Sequence, residues 1–520
     1  MRIKLYILLI LGSVNLLFSQ NNTFKGENKR ILLEADDEFS YDNYSVALPL
    51  YKQLYEIDSS NTKVAYNLAL CIYHTKRDKL ESVPYFEKSK NDYPDAYFYL
   101  ACLYRLQNNF DKSLNYFNKY KNINEGKSVN NSMVDYYLTK TLVAKEMISK
   151  HSDLKVANIG SGINTAYPEY GPLITSDERI MYFTSRRPDN ISKEKDPNYE
   201  YFEDIFVAKQ ENGKWGKVKN IGKPVNTPLH DATVALSNDN KTLYLYRTNK
   251  ELTGGDIYKA ELTPNGFSIP EKIKAEINSP EGAESSACLA PDQRTFYFSS
   301  NRPGGFGGKD LYKVVKLPNG KWSKAINLGA AINTPYDEDA PFIHADGVTL
   351  YFSSKGHKNM GGYDIFVSTL DDKGNWSFPQ NLGYPVNSVA DDIFFVANPE
   401  ETAGYFSSNR SGGFGASDIY KVKFPDKYAE NLILKGRIID ENSLVPLQAT
   451  ITIVDYDTKQ LQGIYRTNSR TGKFIMVLLP KRHYKLIVES EGYRNVVDDI
   501  DMTERLRVQD LFKSIKLTKE

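Results

Sequence analysis

Cysteines and long hydrophobic runs are both scarce in this sequence. Among 520 residues there are only three cysteines, Cys71, Cys102 and Cys288, which argues against a scaffold held together by disulfides. We expect all three thiols to be buried among apolar side chains. Beyond Ser19, no apolar stretch is long enough to cross a bilayer. The sequence therefore predicts a mature chain without a transmembrane segment.

An excess of positive charge is also missing, because Lys+Arg 66 is balanced by Asp+Glu 65. This balance gives no reason to expect a nucleic-acid partner. The six histidines have no metal-ligand spacing, and no phosphate-binding loop or nucleophile elbow occurs. We therefore predict no metal, no cofactor, no catalytic residue and no enzymatic activity.

The N-terminus has the pattern of a secretory signal. Arg2 and Lys4 precede a mostly apolar stretch, Leu5 to Phe18, that is short for a membrane span. We expect residues 1–19 to be removed by cleavage after Ser19. No cysteine lies near that junction, so we expect a soluble exported chain rather than one held by a lipid anchor.

Residues 27–150 have apolar side chains three and four positions apart and almost no glycine, a pattern that predicts helices. Two kinds of residue recur at a spacing of about 34: alanine at 35, 69 and 101, and an aromatic ring at Tyr51, Phe86 and Phe117. This is typical of tetratricopeptide (TPR) repeats, and we predict about three of them plus a closing helix from Ser132 to Lys150. Such an array commonly binds a partner protein on its concave face, but a short one could also serve only to pack against a neighbouring domain.

Three landmarks repeat together through residues 154–425. A strand-like aromatic run begins at Met181, Tyr244, Tyr297, Tyr351 and Tyr405. An Asn-Thr/Ser turn precedes each run, at Asn164, Asn226, Asn278, Asn333 and Asn387. An Asp-Ile/Leu-Phe/Tyr segment follows each run, at Asp204, Asp256, Asp310, Asp364 and Asp418. Five copies at a period near 54 residues predict a five-bladed β-propeller, in which we expect the repeated aspartates to accept N–H bonds in Gly-rich turns.

The way the ring closes can also be predicted. A strand that begins with Trp and ends in Asn-Ile/Leu-Gly separates successive blades, with its last residue at Gly222, Gly329 and Gly383. No such strand follows the fifth Asp-Ile-Tyr, whereas Lys155 to Gly160 carries the same ending ahead of the first blade. We therefore predict that this N-terminal strand completes the fifth blade and leaves no open edge.

One acidic residue per blade falls at nearly the same distance after the Asn turn. These residues are Glu169, Asp231, Glu284, Glu338 and Asp392. Acids at one depth in every blade are expected to form hydrogen bonds between blades, or alternatively to hold a cation or a basic ligand. A glycosidase would instead need carboxylates in different environments, so that one acts as acid and another as base.

The repeats are close to a known family pattern. Residues 290–312 read Ala-Pro-Asp-Gln-Arg-Thr-Phe-Tyr-Phe-Ser-Ser-Asn-Arg-Pro-Gly-Gly-Phe-Gly-Gly-Lys-Asp-Leu-Tyr, which resembles the WD-like propeller repeats of TolB and of bacterial envelope proteins. The second blade departs from it with Tyr246-Arg-Thr-Asn, and the first carries an insertion around Pro188 to Phe202.

Residues 431–520 again alternate strands and turns, but without the blade landmarks. Gly436-Arg-Ile-Ile-Asp, Ala449-Thr-Ile-Thr-Ile-Val-Asp and the segment from Tyr484 to Tyr493 resemble the carboxypeptidase regulatory-like domain, a transthyretin-type β-sandwich. That resemblance implies a domain without catalysis. The predicted fold class is therefore multidomain, with an α-helical array followed by two all-β domains.

The order of TPR array, propeller and regulatory-like sandwich resembles the periplasmic PorE-type proteins of Bacteroidota, without their OmpA-like C-terminal domain. The resemblance implies a periplasmic scaffold at the inner face of the outer membrane, associated with type IX secretion or a similar assembly process. It implies envelope proteins as partners, including an outer-membrane barrel of the PorP/SprF type. The alternative is a propeller that binds or cleaves glycans, for which a wide funnel with stacked aromatic rings and unequal acids would be the sign.

Overall fold

The computed structural model describes residues 24–75, 78–150, 152–197, 199–273, 276–425, 432–503 and 511–520. They belong to two compact units, Met1–Glu146 and Met147–Glu520. The first is helical in its described part and the second is almost entirely β-structure. The predicted signal peptide and its cleavage site lie outside the described residues. Within the described ranges, no helix has the length and apolar character that a bilayer crossing requires.

The helical region contains seven α-helices and one 3-10 helix among its described residues. They are α1 (Glu27–Ser40), α2 (Tyr44–Ile57), α3 (Thr62–Thr75), a 3-10 turn (Lys79–Ser82), α4 (Val83–Ser89), α5 (Asp95–Leu106), α6 (Phe110–Lys121) and α7 (Asn131–Ser149). The recurring alanines and aromatic residues found in the sequence are all fully buried. Each alanine lies in an odd-numbered helix and each ring in the next helix, so the small side chain allows close approach while the ring fills the core.

The β-rich unit contains five consecutive antiparallel sheets, preceded by strand β1 (Lys155–Asn158). The first sheet has β2 (Glu169–Ile174), β3 (Ile180–Ser185), β4 (Asp204–Glu211), β5 (Lys214–Trp215) and β6 (Lys219–Asn220). The second has β7 (Asp231–Leu236), β8 (Thr242–Thr248), β9 (Gly255–Thr263), β10 (Gly266–Phe267) and β11 (Glu271–Lys272).

The other three sheets keep the same order of strands. The third has β12 (Ala287–Leu289), β13 (Thr295–Ser300), β14 (Asp310–Val315) and β15 (Ile326–Asn327). The fourth has β16 (Glu338–Ile343), β17 (Thr349–Ser354), β18 (Asp364–Thr369) and β19 (Gln380–Asn381). The fifth has β20 (Asp392–Ala397), β21 (Ala403–Ser408) and β22 (Asp418–Lys423).

The first strand of each sheet contacts the first strand of the next, in the cyclic order β2, β7, β12, β16, β20 and back to β2. These five inner strands enclose a narrow channel of about 80 Å³. Its lining is mainly small and apolar residues of the inner strands. A wide funnel, one of the signs expected of a glycan-cleaving protein, is therefore not formed by the inner strands.

The predicted closing strand is confirmed. β1 pairs antiparallel with β22, with Lys155 opposite Lys423 and Asn158 opposite Tyr420. The N-terminal strand thus becomes the outer strand of the fifth sheet, whose remaining strands come from the end of the repeat region. Because this strand covers an edge whose N–H and C=O groups would otherwise be free, the ring is tied together at its two chain ends.

The C-terminal region packs a three-stranded sheet against a four-stranded sheet. Its strands are β23 (Leu432–Asp440), β24 (Thr450–Asp455), β25 (Leu461–Arg466), β26 (Lys473–Leu478), β27 (His483–Glu489), β28 (Val496–Asp501) and β29 (Leu511–Leu517). The strand orders are β26-β23-β29 and β25-β24-β27-β28. A single apolar core lies between these two sheets, with Leu434, Ile451, Tyr484 and Leu486 fully buried.

Candidate functional site

The five acids predicted as a ring stand where the inner strands begin. All five are buried, with at most 1% of their surface exposed. In the first sheet, the Glu169 carboxylate accepts the Thr165 N–H at 2.6 Å, the Thr165 hydroxyl at 2.7 Å and the Ser185 hydroxyl at 2.8 Å. The carboxylates therefore brace the Asn-Thr/Ser turns and hold no position that a ligand could reach from solvent.

The carboxylates of Glu169 and Glu338 do not make the bonds between neighbouring sheets that the sequence predicts; the main-chain N–H groups of these residues bond to the next sheet instead. The Glu169 N–H donates to the Ser417 carbonyl of the fifth sheet at 2.7 Å, and the Glu338 N–H donates to the Lys309 carbonyl of the third sheet at 2.7 Å. The side chain of each acid instead stays within its own turn and sheet.

An arginine accompanies the acid in four of the sheets. The nitrogen-to-oxygen distances are 3.0 Å for Arg187–Glu169, 2.6 Å for Arg247–Asp231, 3.2 Å for Arg302–Glu284 and 2.5 Å for Arg410–Asp392. Each guanidinium also donates to a main-chain carbonyl just before the repeated Asn, as Arg302 does to Ile277 at 2.8 Å. The arginine therefore neutralises the buried acid and holds the turn.

The fourth sheet lacks this arginine. Gly356 follows Lys355 at the arginine's place in the sequence, and the next residue, His357, makes the bond to the Ile332 carbonyl at 2.8 Å. Glu338 is bonded only by neutral donors of Thr334 and Ser354, at 2.6–2.7 Å. Burial without a cation therefore raises the pKa of Glu338 to about 7.

The repeated asparagines and aspartates complete this set of structural side chains. The Asn164 amide accepts the Ile419 N–H and donates to the Ile419 carbonyl, both at 2.9 Å, so it pairs with a strand as another strand would. Asp310 accepts the N–H groups of Phe306 and Gly307, as the sequence predicted for the repeated aspartates. We call the repeated asparagines, the ring acids and the repeated aspartates the framework.

Non-repeating side chains surround the framework at the same end of the inner strands, which we call the mouth. The mouth residues are Tyr170, Arg186, Glu203, Ser285, Lys309, Asp337, Asp339, Lys355, Tyr363 and Phe394. Each lies next to, or within two residues of, a framework residue or the Ser-Ser end of a second strand. Here the five sheets differ, although their backbones match.

Three ion pairs lie at the mouth. Arg186 contacts Glu203 at 2.7 Å, Lys309 contacts Asp339 at 2.6 Å, and Lys355 contacts Asp337 at 2.8 Å. Although burial alone would raise the pKa of each acid, the cations and hydrogen-bond donors beside them hold all three pKa values below the ordinary value. These carboxylates are therefore ionised and act as hydrogen-bond acceptors.

Aromatic rings lie between these ion pairs. Tyr170 stacks on Phe394 with ring centroids 5.9 Å apart, joining the first and fifth sheets. The Lys355 ammonium lies 4.5 Å from the centroid of the Tyr363 ring. All three rings are half-buried, so each keeps part of its surface available to a ligand.

Sequence reasoning found the framework and missed the mouth. The framework was visible because it repeats, whereas the mouth residues vary from sheet to sheet. The usable signal was that variation itself: Glu203, Lys309 and Tyr363 each directly precede a repeated aspartate. Across the described ranges, no group of three or more His, Cys, Asp or Glu side chains could hold a metal ion.

Comparison with known proteins adds fold likenesses. No protein-family model and no curated protein matches the chain. Among solved structures, an endo-arabinase from Bacteroides thetaiotaomicron is 14% identical, with 50% of this chain and 97% of that chain covered and a TM-score of 0.34. An α-L-arabinofuranosidase from Lactobacillus brevis is 12% identical, with 49% and 90% covered and a TM-score of 0.34.

A shorter likeness is to 3-chlorocatechol 1,2-dioxygenase from Rhodococcus opacus, at 15% identity and a TM-score of 0.14. It covers 18% of this chain and 61% of the dioxygenase.

These comparisons correct one prediction. From the sequence we expected a chain that is not an enzyme, yet the solved structures that resemble it include glycosidases that align along nearly their whole length. That prediction is wrong, because the missing catalytic motifs do not exclude an architecture that enzymes also use.

Proposed function

We propose that this protein binds a glycan at the mouth. The observation that carries the proposal is the set of unequal carboxylates and half-buried rings at one end of the channel, at positions that do not repeat. Glu203, Asp337 and Asp339 differ in partners, and each is more exposed than the ring acids. Unequal acids and stacked rings are two of the features that the sequence analysis expects of a glycan site and not of a scaffold.

The chemistry of the mouth favours a neutral sugar. In the Lys309–Asp339 and Lys355–Asp337 pairs, acceptors and donors lie side by side and the charges cancel, so hydroxyl groups can donate to the carboxylate and accept from the cation. Arg186 is shared by Glu203, Asp196 and Glu200, so this third group has no positive charge left for an anionic ligand. A charged ligand would have to break one of these pairs. The Tyr170–Phe394 stack offers an apolar face to the C–H groups of a sugar ring, as aromatic side chains do in many ligand sites.

Isothermal titration calorimetry with neutral arabinan, xylan, galactan and glucan oligosaccharides tests the proposal. We expect one of these classes to bind the full chain, and Tyr170→Ala to weaken that binding at least tenfold. Tyr199→Ala is the matched control, since Tyr199 is 79% exposed and lies in the insertion of the same sheet. If none of the four classes binds, or if Tyr170→Ala binds as well as the unchanged protein, the proposal fails.

Cleavage is measured in the same samples by the release of reducing ends. Glu203→Gln and Asp337→Asn each remove one ionised carboxylate while keeping its shape. Loss of cleavage in either variant with binding retained would make the protein a glycan-cleaving one. Binding without release of reducing ends would make it a glycan-binding one.

The finer description of the fold is part of the proposal. The cyclic contacts of the five inner strands and the pairing of β1 with β22 support a five-bladed β-propeller. The alternation of buried alanine and buried ring supports TPR-like repeats in the helical region. Two packed sheets with a shared core support the transthyretin-type sandwich for residues 431–520.

The second candidate function is a scaffold of the periplasm that binds envelope proteins such as a PorP/SprF-type outer-membrane barrel. It is favoured by large apolar side chains exposed on the first two helices, with Leu33 at 61% and Val46 at 48%. Cross-linking in cells that carry the full chain or the Leu33→Glu/Val46→Glu variant tests it. We expect an outer-membrane partner to be cross-linked only by the unchanged chain, and equal cross-linking would contradict the proposal.

A further inference from the structure

A cleft of about 920 Å³ lies where the second and third sheets meet the C-terminal sandwich. Asp239 and Gln293, from the hairpins at the end of the inner strands opposite the mouth, line it together with Ile464 and Arg466 of β25. Small-molecule sites commonly have volumes of about 300–1,000 Å³. The cleft is therefore large enough for a small ligand and is separate from the glycan site proposed above.

At two other places where neighbouring sheets meet, a hairpin glutamate closes the junction. The Glu178 carboxylate of the first sheet accepts the Tyr405 hydroxyl and the Lys421 ammonium of the fifth sheet, both at 3.0 Å. The Glu401 carboxylate of the fifth sheet accepts the Tyr351 hydroxyl of the fourth sheet at 2.8 Å. In both cases the glutamate fills the space beside the tyrosine.

The junction at the cleft has the same parts but stays open. Tyr244 and Lys259 face each other across β8 and β9, as Tyr405 and its lysine do across β21 and β22. Gln293 takes the place of Glu178 in its hairpin, with φ values of 55° and 53°. Within the described ranges, no hydrogen bond joins Gln293 to Tyr244 or Lys259, and all three side chains line the cleft. The Tyr244 hydroxyl and the Gln293 amide are therefore available to a ligand.

Three aromatic rings form the apolar side of the cleft. Tyr244 and Phe296 are buried and meet edge to face with centroids 5.0 Å apart, and Trp322 lies 5.4 Å from Phe296. Trp322 is half-buried and lines the cleft, so part of the indole is open to it. An aromatic face beside hydrogen-bonding groups suits a ring that carries C–H groups on one face and hydroxyl groups at its rim.

The charged groups of the cleft balance one another. The nitrogen-to-oxygen distances are 3.5 Å for Lys259–Glu261, 2.8 Å for Lys272–Asp256 and 3.7 Å for Arg466–Asp239. The two other charged residues of the lining, Lys316 and Glu271, have opposite signs. The cleft therefore offers no excess charge to an ionic ligand, which favours a neutral one.

We propose that this cleft binds a neutral mono- or disaccharide, with one sugar ring against Trp322 and its hydroxyl groups bonded to Tyr244 and Gln293. The sugar takes the place that the Glu178 carboxylate fills between the first and fifth sheets. A sugar hydroxyl can accept from the tyrosine and donate to the amide oxygen, since hydroxyl and amide groups have both donors and acceptors. This site does not depend on the mouth.

Tryptophan fluorescence of the full chain reports on the cleft during titration with arabinobiose, xylobiose, galactobiose and cellobiose. The chain has three tryptophans, Trp215, Trp322 and Trp376, and none of them is a mouth residue. We expect one of the disaccharides to give a saturable change in the unchanged protein that is absent in Trp322→Phe. No change with any of the four, or an equal change in Trp322→Phe, would overturn the proposal.

Variants of the polar groups locate the ligand. Gln293→Glu supplies the carboxylate that Glu178 supplies at the other junction, so it should bond to Tyr244, close the cleft and weaken binding at least tenfold. Tyr244→Phe removes only the hydroxyl and should weaken binding severalfold. Tyr297→Phe is the matched control, because Tyr297 has the same place in the third sheet but lies against Trp376, with centroids 6.0 Å apart. Binding that neither Gln293→Glu nor Tyr244→Phe weakens would overturn the proposal.

Tyr170→Ala separates the cleft from the mouth. This variant should keep the fluorescence response of the unchanged protein, because Tyr170 lies at the opposite end of the inner strands. A response lost in Tyr170→Ala would belong to the mouth and would overturn the proposal for the cleft alone. A response that persists when calorimetry finds no binding at the mouth would overturn only the proposal for the mouth.

Discussion

The framework and the mouth lie within a few residues of each other in every sheet, yet they differ in almost every property. Framework side chains such as Asn164 and Glu169 are buried, repeat five times and bond to main chain or hydroxyl groups of their own surroundings. Mouth side chains such as Lys309 and Tyr363 are half-buried, and the equivalent places in neighbouring sheets hold different residue types. The difference teaches that residues repeated in every sheet are those that the fold requires. Residues that change from sheet to sheet are those that a ligand can contact.

The same comparison can be made inside the framework. The third sheet has Arg302 beside Glu284, whereas the fourth has only the neutral donors of Thr334 and Ser354 beside Glu338. Because a buried carboxylate is costly without a cation, the fourth sheet accommodates its acid by favouring the protonated form. Three substitutions test how strongly the framework and its partners contribute to the stability of the fold. A fourth tests whether a mouth residue contributes little to that stability.

The largest loss of stability is expected from Arg187→Met, which leaves the buried Glu169 carboxylate without its cation. Breaking a buried pair by removing one partner costs roughly 3–5 kcal/mol in the free energy of unfolding. Chemical denaturation of the full chain measures this loss. The double variant Arg187→Met/Glu169→Gln is the control and should recover much of it, because no charge is then left buried. A double variant as unstable as the single one would show that the pairing of charges is not the cause.

The next effect is a pH dependence that comes from Glu338. Its folded-state pKa of about 7 is above the ordinary value of 4.5, so its contribution to stability is fully present below pH 4.5 and is lost as the pH rises through 7. That contribution is at most about 3 kcal/mol. We expect Glu338→Gln to remove this part of the fall in the free energy of unfolding between pH 4.5 and 7.5.

Glu284→Gln is the matched control for the Glu338 experiment, because Glu284 has Arg302 beside it. It removes a ring carboxyl at the same place in the neighbouring sheet, so an effect found only in Glu338→Gln comes from the missing cation and not from the loss of a ring acid as such. If Glu338→Gln and the unchanged protein lose stability in parallel over this range, Glu338 does not titrate there.

A smaller effect is expected at the closure of the ring. Asn164→Ala leaves the N–H and carbonyl of Ile419 without their amide partner in a buried place, which costs roughly 1–3 kcal/mol. Asn278→Ala removes the equivalent amide at Ile257, inside the continuous chain. We expect the Asn164 change to lower the melting temperature more, since it also loosens the pairing of β1 with β22. Equal losses would indicate that closure adds nothing to the local bonds.

The smallest change in stability is expected at the mouth. Lys355→Ala breaks an ion pair whose lysine is 37% exposed, and such pairs contribute about 0–1 kcal/mol. The melting temperature should therefore stay within about 1–2 °C of the unchanged protein, while glycan binding weakens. A large fall in melting temperature would contradict this prediction and would show that Lys355 has a structural role, as the framework residues have.

Much of the fold could be predicted from the sequence because the repeats keep three landmarks in register. The landmarks predicted the five sheets, the closing strand Lys155 to Gly160 and the N–H bonds that Asp310 accepts. The predicted burial of Cys71, Cys102 and Cys288 is also confirmed. The partners of the ring acids could not be predicted in the same way. Arg187 and Glu169 are 18 residues apart, and only the folded sheet brings them together.

The mouth and the docking of the sandwich were beyond sequence reasoning for different physical reasons. The mouth depends on side chains from several sheets, such as Tyr170 and Phe394, which meet only when the ring closes. The docking of the sandwich depends on contacts between distant parts of the chain, such as the bond from the Ile464 N–H to the Pro291 carbonyl. Neither leaves a pattern that a scan along the chain would detect.

One measurement tests the separation of framework and mouth most directly: calorimetric binding of the preferred neutral oligosaccharide to Tyr170→Ala and to Asn164→Ala, at a temperature where both are folded. Tyr170→Ala should lose at least tenfold in affinity while it remains folded at that temperature. Asn164→Ala should melt earlier and bind with the affinity of the unchanged protein. Undiminished binding by Tyr170→Ala, or a loss of affinity confined to Asn164→Ala, would contradict the account.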